Sequence, residues 1–252
     1  MAKAKSGGVL ELIKTLLSAG LIAIGIRTVA FEPFNIPSES MLPTLLVGDY
    51  LFVSKYSYGY SRYSLPLSLN LFNGRIFGRL PERGDVAVFK YPPDTSQDYI
   101  KRIVGLPGDK IQVKGGQLFI NGVVSPRQRI GVYPEDEKAY GVRAGRYLET
   151  LPNGRVHDIL KQSDAPYQTV DGDINNTTEF LVPANNVFAM GDNRDNSLDS
   201  RFQTTGVGFV PVENLVGRAE FIFFSIDARD PWWAVWDWPF EIRWTRLLRG
   251  IG

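Results

Sequence analysis

An apolar segment close to the N-terminus sets the strongest limit on how this chain can fold. Its uninterrupted core, Thr15–Ile26, has 12 residues and would cover roughly 18 Å as a helix, less than the ~30 Å hydrocarbon core of a membrane. Lys14 and Arg27 flank it, and their long side chains can place their charges at the two interfaces. Counted this way, about 20 residues from Leu12 to Phe31 can span a bilayer. We therefore predict a single transmembrane helix within residues 1–31.

The charges around this segment predict its orientation. Three lysines precede it: Lys3, Lys5 and Lys14. Because positive residues stay on the cytoplasmic side, we expect a cytoplasmic N-terminus and export of residues 32–252. Two alternatives remain open: a cleaved signal peptide that ends at residues 28–30, and an amphipathic helix lying on a soluble core. Arg27, directly before the cleavage site, disfavours the signal peptide.

Beyond residue 33 the sequence pattern changes from helical to strand-like. Together, 25 glycines and 16 prolines make about 16% of the 252 residues, a turn-rich composition typical of β proteins. Turn signals separate short β-rich runs: Tyr50–Lys55, Asp85–Tyr91, Tyr99–Gly105, Lys110–Val113, Gln117–Ile120, Asn186–Met190 and Glu220–Ile226. Gly115-Gly116 and Asn121-Gly122 predict a small hairpin over Lys110–Val124. Since strands do not alternate with long helices, we predict a mainly β domain.

Two further regions differ from this pattern. Residues 125–178 are polar and poor in motifs, and we interpret them as an inserted, partly strand-containing β region. Residues 232–252 contain all five tryptophans and end in a stretch of helical periodicity. An apolar face (Phe240, Trp244, Leu247, Leu248, Ile251) is separated there from a basic one (Arg243, Arg246, Arg249). The pattern fits an interfacial membrane helix and equally a helix that caps the β core.

Composition excludes several classes of function. A net charge of +1 provides no basic field for nucleic acid. The absence of cysteine excludes disulfides, thiol nucleophiles and cysteine-based metal centres. The only histidine, His157, excludes two-histidine metal motifs. It lies in a polar stretch, and we predict a surface position for it rather than a role as a catalytic base. Neither Ser-x-x-Lys nor Gly-x-Ser-x-Gly occurs.

Two stretches contain candidate catalytic groups. Ser38 and Ser40 are two residues apart, and in an extended chain they face the same side. The Ser40 hydroxyl could act as a nucleophile, while its N–H and the Ser38 hydroxyl could hold an oxyanion. Lys101 and Arg102 point to opposite faces of a predicted strand. Burial beside Tyr99 would lower the pKa of Lys101 and produce a neutral base, whereas an edge strand would leave both side chains solvated.

A third stretch, MGDNRDNSLDSR at residues 190–201, follows an apolar run and is dense in charged and amide side chains. It could brace a site through Asp–Arg pairs. A solvated loop is the alternative. Calcium binding is disfavoured because the acidic residues lack the EF-hand spacing.

In their order along the chain and in their amino-acid sequences, these stretches resemble those of bacterial type I signal peptidases (leader peptidases), which are membrane-anchored Ser/Lys endopeptidases. The resemblance rests on IPSESMLPTL at 36–45, RGDVAVFKYP at 83–92, YIKRIVGLPGD at 99–109, MGDNRDNSLDSR at 190–201 and VGRA at 216–219. It implies an antiparallel β catalytic domain with an inserted second β region behind an N-terminal membrane anchor. The better-known members have two spans, whereas the apolar segment described above predicts one transmembrane helix here. The implied activity is removal of N-terminal signal peptides from exported preproteins, without a metal or cofactor.

The resemblance also implies roles for individual residues. Ser40 would be the nucleophile, Lys101 the general base, and the Ser38 hydroxyl with the Ser40 N–H the oxyanion hole. Five residues would support the dyad: Ser197, which orients the lysine, and the pairs Asp199–Arg201 and Asp192–Arg102. Seven residues would line small S1 and S3 pockets: Ile36, Pro37, Met41, Leu45, Leu51, Tyr99 and Ile100. Glu39 departs from the glycine often found between the two serines, which changes the local charge.

The implied setting is the bacterial cytoplasmic (inner) membrane, with a single span and a periplasmic catalytic domain. The expected partners are signal-peptide-bearing preproteins, the lipid bilayer and, through proximity, the secretion translocon, but not nucleic acid. Alternatives remain open: a Ser/Lys protease that cleaves itself or one partner, a conjugation-associated maturation protease, and a non-catalytic membrane-tethered β adaptor.

Overall fold

The computed structural model describes residues 8–65, 68, 71–133, 143–227 and 238–252. The helices are α1 (Gly8–Val29) and α2 (Trp238–Glu241), and short 3₁₀ helices lie at Glu39–Met41, Arg62–Ser64, Val212–Asn214 and Trp244–Arg246. The strands are β1 (Phe31–Asn35), β2 (Asp49–Ser54), β3 (Val86–Lys90), β4 (Asp98–Gly105), β5 (Lys110–Lys114), β6 (Gln117–Ile120), β7 (Val123–Val124), β8 (Arg127–Tyr133), β9 (Ala144–Thr150), β10 (Val156–Lys161), β11 (Gln168–Thr169), β12 (Gly172–Asp173), β13 (Phe180–Leu181), β14 (Asn186–Met190), β15 (Val210–Pro211) and β16 (Leu215–Ser225).

Helix α1 contains the predicted apolar segment. Leu10–Val29 is long and apolar enough to cross a membrane, with a mean hydropathy of 1.6. None of this window is buried against the rest of the described chain, so the alternative of a helix packed on a soluble core is wrong. The helix ends two residues before Phe31, because β1 begins there. Lys3 and Lys5, on which the predicted orientation depends, lie outside the described residues.

The largest sheet has seven strands in the order β1-β2-β16-β3-β4-β14-β15, and every pairing in it is antiparallel. The prediction of a mainly β, antiparallel fold is thus confirmed. Strand β3 is buried on both faces: Val86 and Val88 contribute to one apolar cluster, and Ala87 and Phe89 to another. This explains why its sequence is continuously apolar rather than alternating.

The predicted hairpin over Lys110–Val124 is present as β5, β6 and β7, which form a four-stranded sheet with β13. Asn121 and Gly122 both have positive φ, as a tight turn of this kind requires. The polar region 125–178 contains a three-stranded sheet, β10-β9-β8, and the short pair β11-β12. Its strands were difficult to locate from sequence because β8 is largely exposed and therefore polar.

The main sheet brings the three candidate stretches together. The segment after β1 contains Ser40, and β4 contains Lys101 and Arg102. Strand β14 pairs with β4, so that Met190 lies opposite Arg102. The loop that follows Met190 therefore begins beside the two basic residues of β4.

The C-terminal tail is not the single helix that its periodicity predicts. Only α2 and the 3₁₀ turn Trp244–Arg246 are helical among its described residues, and Leu248 has a left-handed φ of 60° that ends the turn. The chain instead runs beside the second half of β16, with bridges from Ile242 to Ile226 and from Gly250 to Phe221. Trp232, Trp233 and Trp236 lie outside the described residues, and contact of the tail with lipid stays a prediction.

Candidate active site

Ser40 is a buried residue in the 3₁₀ turn Glu39–Met41, which follows β1. The preceding Ser38 is extended, with φ −130° and ψ 157°. The chain therefore turns between the two serines, whereas the sequence had predicted an extended chain through both. Their hydroxyl oxygens still lie 3.4 Å apart, because the turn brings Ser40 back beside its neighbour.

Lys101 lies in the middle of β4, and its Nζ is 2.6 Å from Ser40 Oγ. Strand β4 is paired on both sides, by β3 and β14, so the alternative of a solvated edge strand is wrong. Only 4% of Lys101 is exposed. This burial lowers the pKa of Lys101 to about 8, although the carboxylates of Asp199 and Asp192 act in the opposite direction. A substantial fraction of the amine is therefore neutral near pH 8.

A cleft of about 650 Å³ opens beside Ser40 and Lys101. Four of the seven predicted pocket residues line it: Ile36, Pro37, Tyr99 and Ile100. The other three do not, which corrects their predicted position: Met41, Leu45 and Leu51 are completely buried in an apolar cluster. Met41 and Leu45 are buried because the chain turns into the core directly after Ser40, and Leu51 is buried because it points inward from β2.

Other lining residues were not predicted from the sequence. Phe34 and Val88 add apolar surface, and Leu198 and Asn196 belong to the loop after β14. Phe34 lies two residues before Ile36, and this spacing was the available signal for its position. The two loop residues had no such signal, since only the fold brings them to the cleft.

Most of the loop at 191–201 is buried, so the alternative of a solvated loop is wrong. The Asn193 N–H donates to the Ser40 carbonyl oxygen over 3.1 Å. The Asn193 side-chain amide donates to the carbonyl oxygen of Glu39, also over 3.1 Å. The loop thus holds the turn that contains Ser40 through two separate hydrogen bonds.

Two buried Asp–Arg pairs stabilise this loop, and both are pairs that the family resemblance implied. Arg102 donates to both carboxylate oxygens of Asp192, over 2.9 and 2.8 Å. Arg201 donates to both oxygens of Asp199, each over 2.9 Å. Burial opposes ionisation of the two aspartates, but the arginines more than compensate, and both pKa values lie below the ordinary value. The pairing of Arg102 also places it on the opposite side of β4 from the Ser40–Lys101 contact.

Ser197 does not make the hydrogen bond to Lys101 that was expected of it. Its Oγ is buried and has no hydrogen-bond partner among the described residues. It lies against Gly191, where a methyl group added at Cα would come within 2.2 Å of the Ser197 oxygen and 2.5 Å of the Ser40 carbonyl oxygen. Ser197 and the Ser40 carbonyl oxygen therefore both lie so close to Gly191 that this position has room only for glycine.

The prediction of a surface position for His157 is wrong. Only 4% of this residue is exposed, because the alternation of β10 leaves Val156 outside and turns His157 inward. His157 Nε2 lies 3.4 Å from a carboxylate oxygen of Glu149 and 4.0 Å from one of Asp192. Burial is the main cause that lowers the pKa of the imidazole. Glu149 is also held by Arg194, which connects the inserted sheet to the loop after β14.

The described residues contain no group of three or more His, Cys, Asp and Glu side chains that could hold a metal ion. The site consists instead of hydroxyl, amine and backbone groups. Such a set provides a nucleophile, a base and hydrogen-bond donors, which are the components needed for acyl transfer.

Sequence and structure comparisons find known proteins that are similar to this chain. Residues 9–224 match the sequence model of the family described as signal peptidase, peptidase S26. Signal peptidase I of Rickettsia conorii is 45% identical over 214 residues, which cover 84% of this chain and 77% of that protein. Signal peptidase I of Rickettsia rickettsii is 45% identical over 243 residues, which cover 91% and 88%. A crystal structure of signal peptidase I from Enterococcus faecalis V583 matches 56% of this chain and 97% of its own, with 24% identity and a TM-score of 0.31.

Proposed function

Because this chain belongs to the signal peptidase family, peptidase S26, we propose that Ser40 is its nucleophile and Lys101 its general base. The protein is a membrane-anchored serine endopeptidase that removes signal peptides from preproteins. The observation that carries the assignment is the 2.6 Å distance between Lys101 Nζ and Ser40 Oγ, between two buried residues.

The reaction starts from neutral Lys101, whose lone pair accepts the hydroxyl proton while Ser40 Oγ attacks the scissile carbonyl carbon. The resulting oxyanion accepts hydrogen bonds from the Ser40 N–H and the Ser38 hydroxyl. Protonated Lys101 then gives its proton to the leaving amine, and the C–N bond breaks to leave an acyl-enzyme. Water hydrolyses this ester, with Lys101 again as the base.

The apolar part of the cleft supports a preference for small apolar residues before the cut. Ile36, Ile100 and Tyr99 lie close to the nucleophile in this cleft. Their bulk limits the size of a substrate side chain, which fits the Ala-x-Ala-like end of a signal peptide.

The connection between helix and sheet supports a catalytic domain that lies directly at the membrane surface. Helix α1 ends at Val29 and β1 begins at Phe31. The Val29 carbonyl oxygen accepts a 2.6 Å hydrogen bond from the Tyr60 hydroxyl, and Arg27 pairs with Glu32. We place α1 as the single span of the inner membrane and the catalytic domain on the periplasmic side, where preproteins emerge from the translocon.

The direct test is cleavage of a purified secretory precursor in detergent, with the cut mapped by mass spectrometry. We expect cutting after an Ala-x-Ala-like sequence by the wild type and the control Lys114→Ala, which alters an exposed lysine, but none by Ser40→Ala or Lys101→Ala. Normal cutting by Lys101→Ala would refute the assigned base. A wild type that cuts nothing but still labels at Ser40 with a serine-reactive probe would support a dedicated maturation protease. Absence of both activities would support a non-catalytic adaptor.

A further inference from the structure

The C-terminal tail reaches the segment after Ser40 through one buried arginine. We propose that Arg246 is a positioning residue: it fixes the turn that follows Ser40 and thereby the alignment of Ser40 Oγ with Lys101. This inference rests on the proposed function of Ser40. It concerns a part of the chain that follows residue 224, where the match to the family's sequence model ends.

Arg246 binds Thr44, in the loop after Ser40, and Asp49, the first residue of β2. Its Nε donates to Asp49 Oδ1 over 3.0 Å, and its Nη2 donates to the other oxygen of that carboxylate. Nη2 also donates to the Thr44 carbonyl oxygen over 3.0 Å. Asp49 is completely buried, and only 7% of Arg246 is exposed. The planar fork of a guanidinium suits such a set of acceptors, and a lysine ammonium cannot reproduce it.

Asp49 passes this restraint to the chain on both sides of Ser40. Its carboxylate accepts hydrogen bonds from the Leu46 N–H over 2.8 Å and the Ser225 hydroxyl over 2.6 Å. Its backbone carbonyl accepts from the Ile36 N–H over 2.8 Å. Asp49 therefore joins the chain before Ser40 to the chain after it, and Arg246 holds the Asp49 carboxylate in place.

Thr44 connects the same restraint to the strand of the base. Its carbonyl oxygen binds Arg246, and its hydroxyl donates to Asp192 Oδ2 over 2.5 Å. Asp192 in turn holds Arg102, the residue after Lys101. An unbroken path of direct contacts thus runs from the tail to the segments of both proposed catalytic residues.

Other contacts dock the tail independently of the Arg246 side chain. The Leu248 N–H donates to the Ile222 carbonyl oxygen over 2.7 Å, and the Ile251 N–H donates to that of Glu220 over 2.8 Å. Ile251 also packs against the apolar cluster that contains Met41. A substitution at Arg246 therefore removes the restraint on the loop while these contacts continue to hold the tail on β16.

The test compares Arg246→Gln and Arg246→Lys with a matched control, Arg249→Gln, in the full chain in detergent. The Arg249 side chain is exposed and makes no hydrogen bond or ion pair within the described part of the chain. Titration with a covalent serine-reactive inhibitor counts competent sites, and kcat and KM for a precursor peptide are then expressed per titrated site. A merely structural role would lower the number of sites but leave the rate per site unchanged.

We expect Arg246→Gln to lower kcat per titrated site by at least tenfold, with KM within about threefold of the wild type, and Arg246→Lys to recover only part of the loss. Arg249→Gln should match the wild type. An unchanged rate per site in both Arg246 variants, or a loss of titratable sites in both, would overturn the inference. Inactivity of Ser40→Ala beside an active wild type tests the proposed function separately, so the two failures can be distinguished.

Discussion

Lys101 Nζ lies 2.6 Å from Ser40 Oγ, although the two residues are 61 positions apart in the chain. The contact exists because β4 runs through the main sheet while the turn after β1 folds back against it. The same burial that disfavours the lysine charge makes the amine available as a base. The buried amine is therefore a more reactive base, but its charge lowers the stability of the fold, and this loss of stability can be measured.

Lys101→Met should abolish cleavage and stabilise the fold at pH 7. The pKa of Lys101 is about 8 in the folded protein, against an ordinary value of 10.5. Because folding lowers the pKa of Lys101, the buried charge destabilises the folded protein fully below pH 8. This destabilisation disappears as the pH rises towards 10.5. The difference between the folded and the ordinary pKa corresponds to about 3 kcal/mol in the free energy of unfolding, as an upper limit.

Unfolding in detergent at pH 7 and pH 10.5 measures this effect, with Lys114→Met as the control. The stabilisation should be large at pH 7 and small at pH 10.5. A Lys101→Met variant that unfolds more easily than the wild type at pH 7 would contradict the prediction.

Asp192→Asn should destabilise the protein strongly and lower its activity. The substitution leaves the Arg102 guanidinium buried without its charged partner, which typically costs about 3–5 kcal/mol. Thermal unfolding and cleavage rates measure the two effects. Asp164→Asn, which weakens the more exposed pair with Arg127, is the control and should cost about 1 kcal/mol or less. Equal losses of stability in the two variants would contradict the claim that burial makes the Asp192 pair more important than the exposed one.

Gly191→Ala should reduce activity far more than a surface alanine substitution. The added methyl group would lie 2.5 Å from the Ser40 carbonyl oxygen, which belongs to the backbone and cannot rotate away. The loop must shift, and with it the hydrogen bond from Asn193. Gly122→Ala lies in a turn with open space around it and serves as a control for stability, although its positive φ adds some strain. A Gly191→Ala enzyme that retains wild-type kcat would mean that the loop tolerates displacement.

Glu39→Gln should change charge preference more than catalytic rate. The Glu39 carboxylate lies on the cleft and forms no ion pair in the described residues; its one side-chain hydrogen bond there, 3.3 Å long, comes from the Asn196 amide. Glutamine can accept the same bond without the charge. We expect kcat for a neutral precursor peptide within about threefold of the wild type. For peptides with lysine or aspartate next to the cut, the ratio of the two kcat/KM values (lysine over aspartate) should fall about two- to fivefold, which corresponds to roughly 0.4–1 kcal/mol. Equal lysine-to-aspartate ratios in the two enzymes would contradict this role.

The sequence predicted those parts of the fold that depend on local pattern. The continuous apolar run of β3, the Asn121-Gly122 turn and the apolar N-terminal helix follow from periodicity and turn chemistry. The opposite facing of Lys101 and Arg102 also follows from the alternation of a strand. The partner of Arg102, Asp192, was implied by the family resemblance and not by local pattern.

Features that depend on distant contacts were not predictable in this way. His157 has a polar sequence context, and only the packing of β10 against the loop after β14 buries it. The tail has helical periodicity, but the second half of β16 extends beyond its pairing with β3 and offers backbone hydrogen bonds that a helix there would not use. The contact between Arg246 and Asp49 joins residues 197 positions apart and has no signature in either local sequence.

The pH dependence of kcat/KM tests the assignment of Lys101 most directly. Since the neutral amine is the reactive form and its pKa is about 8, kcat/KM of the wild type should fall about tenfold for each pH unit below that value. The measurement uses a precursor peptide without titratable groups near the cut, together with a check that the enzyme stays folded across the range. A rate that stays constant down to pH 4 would contradict a lysine base.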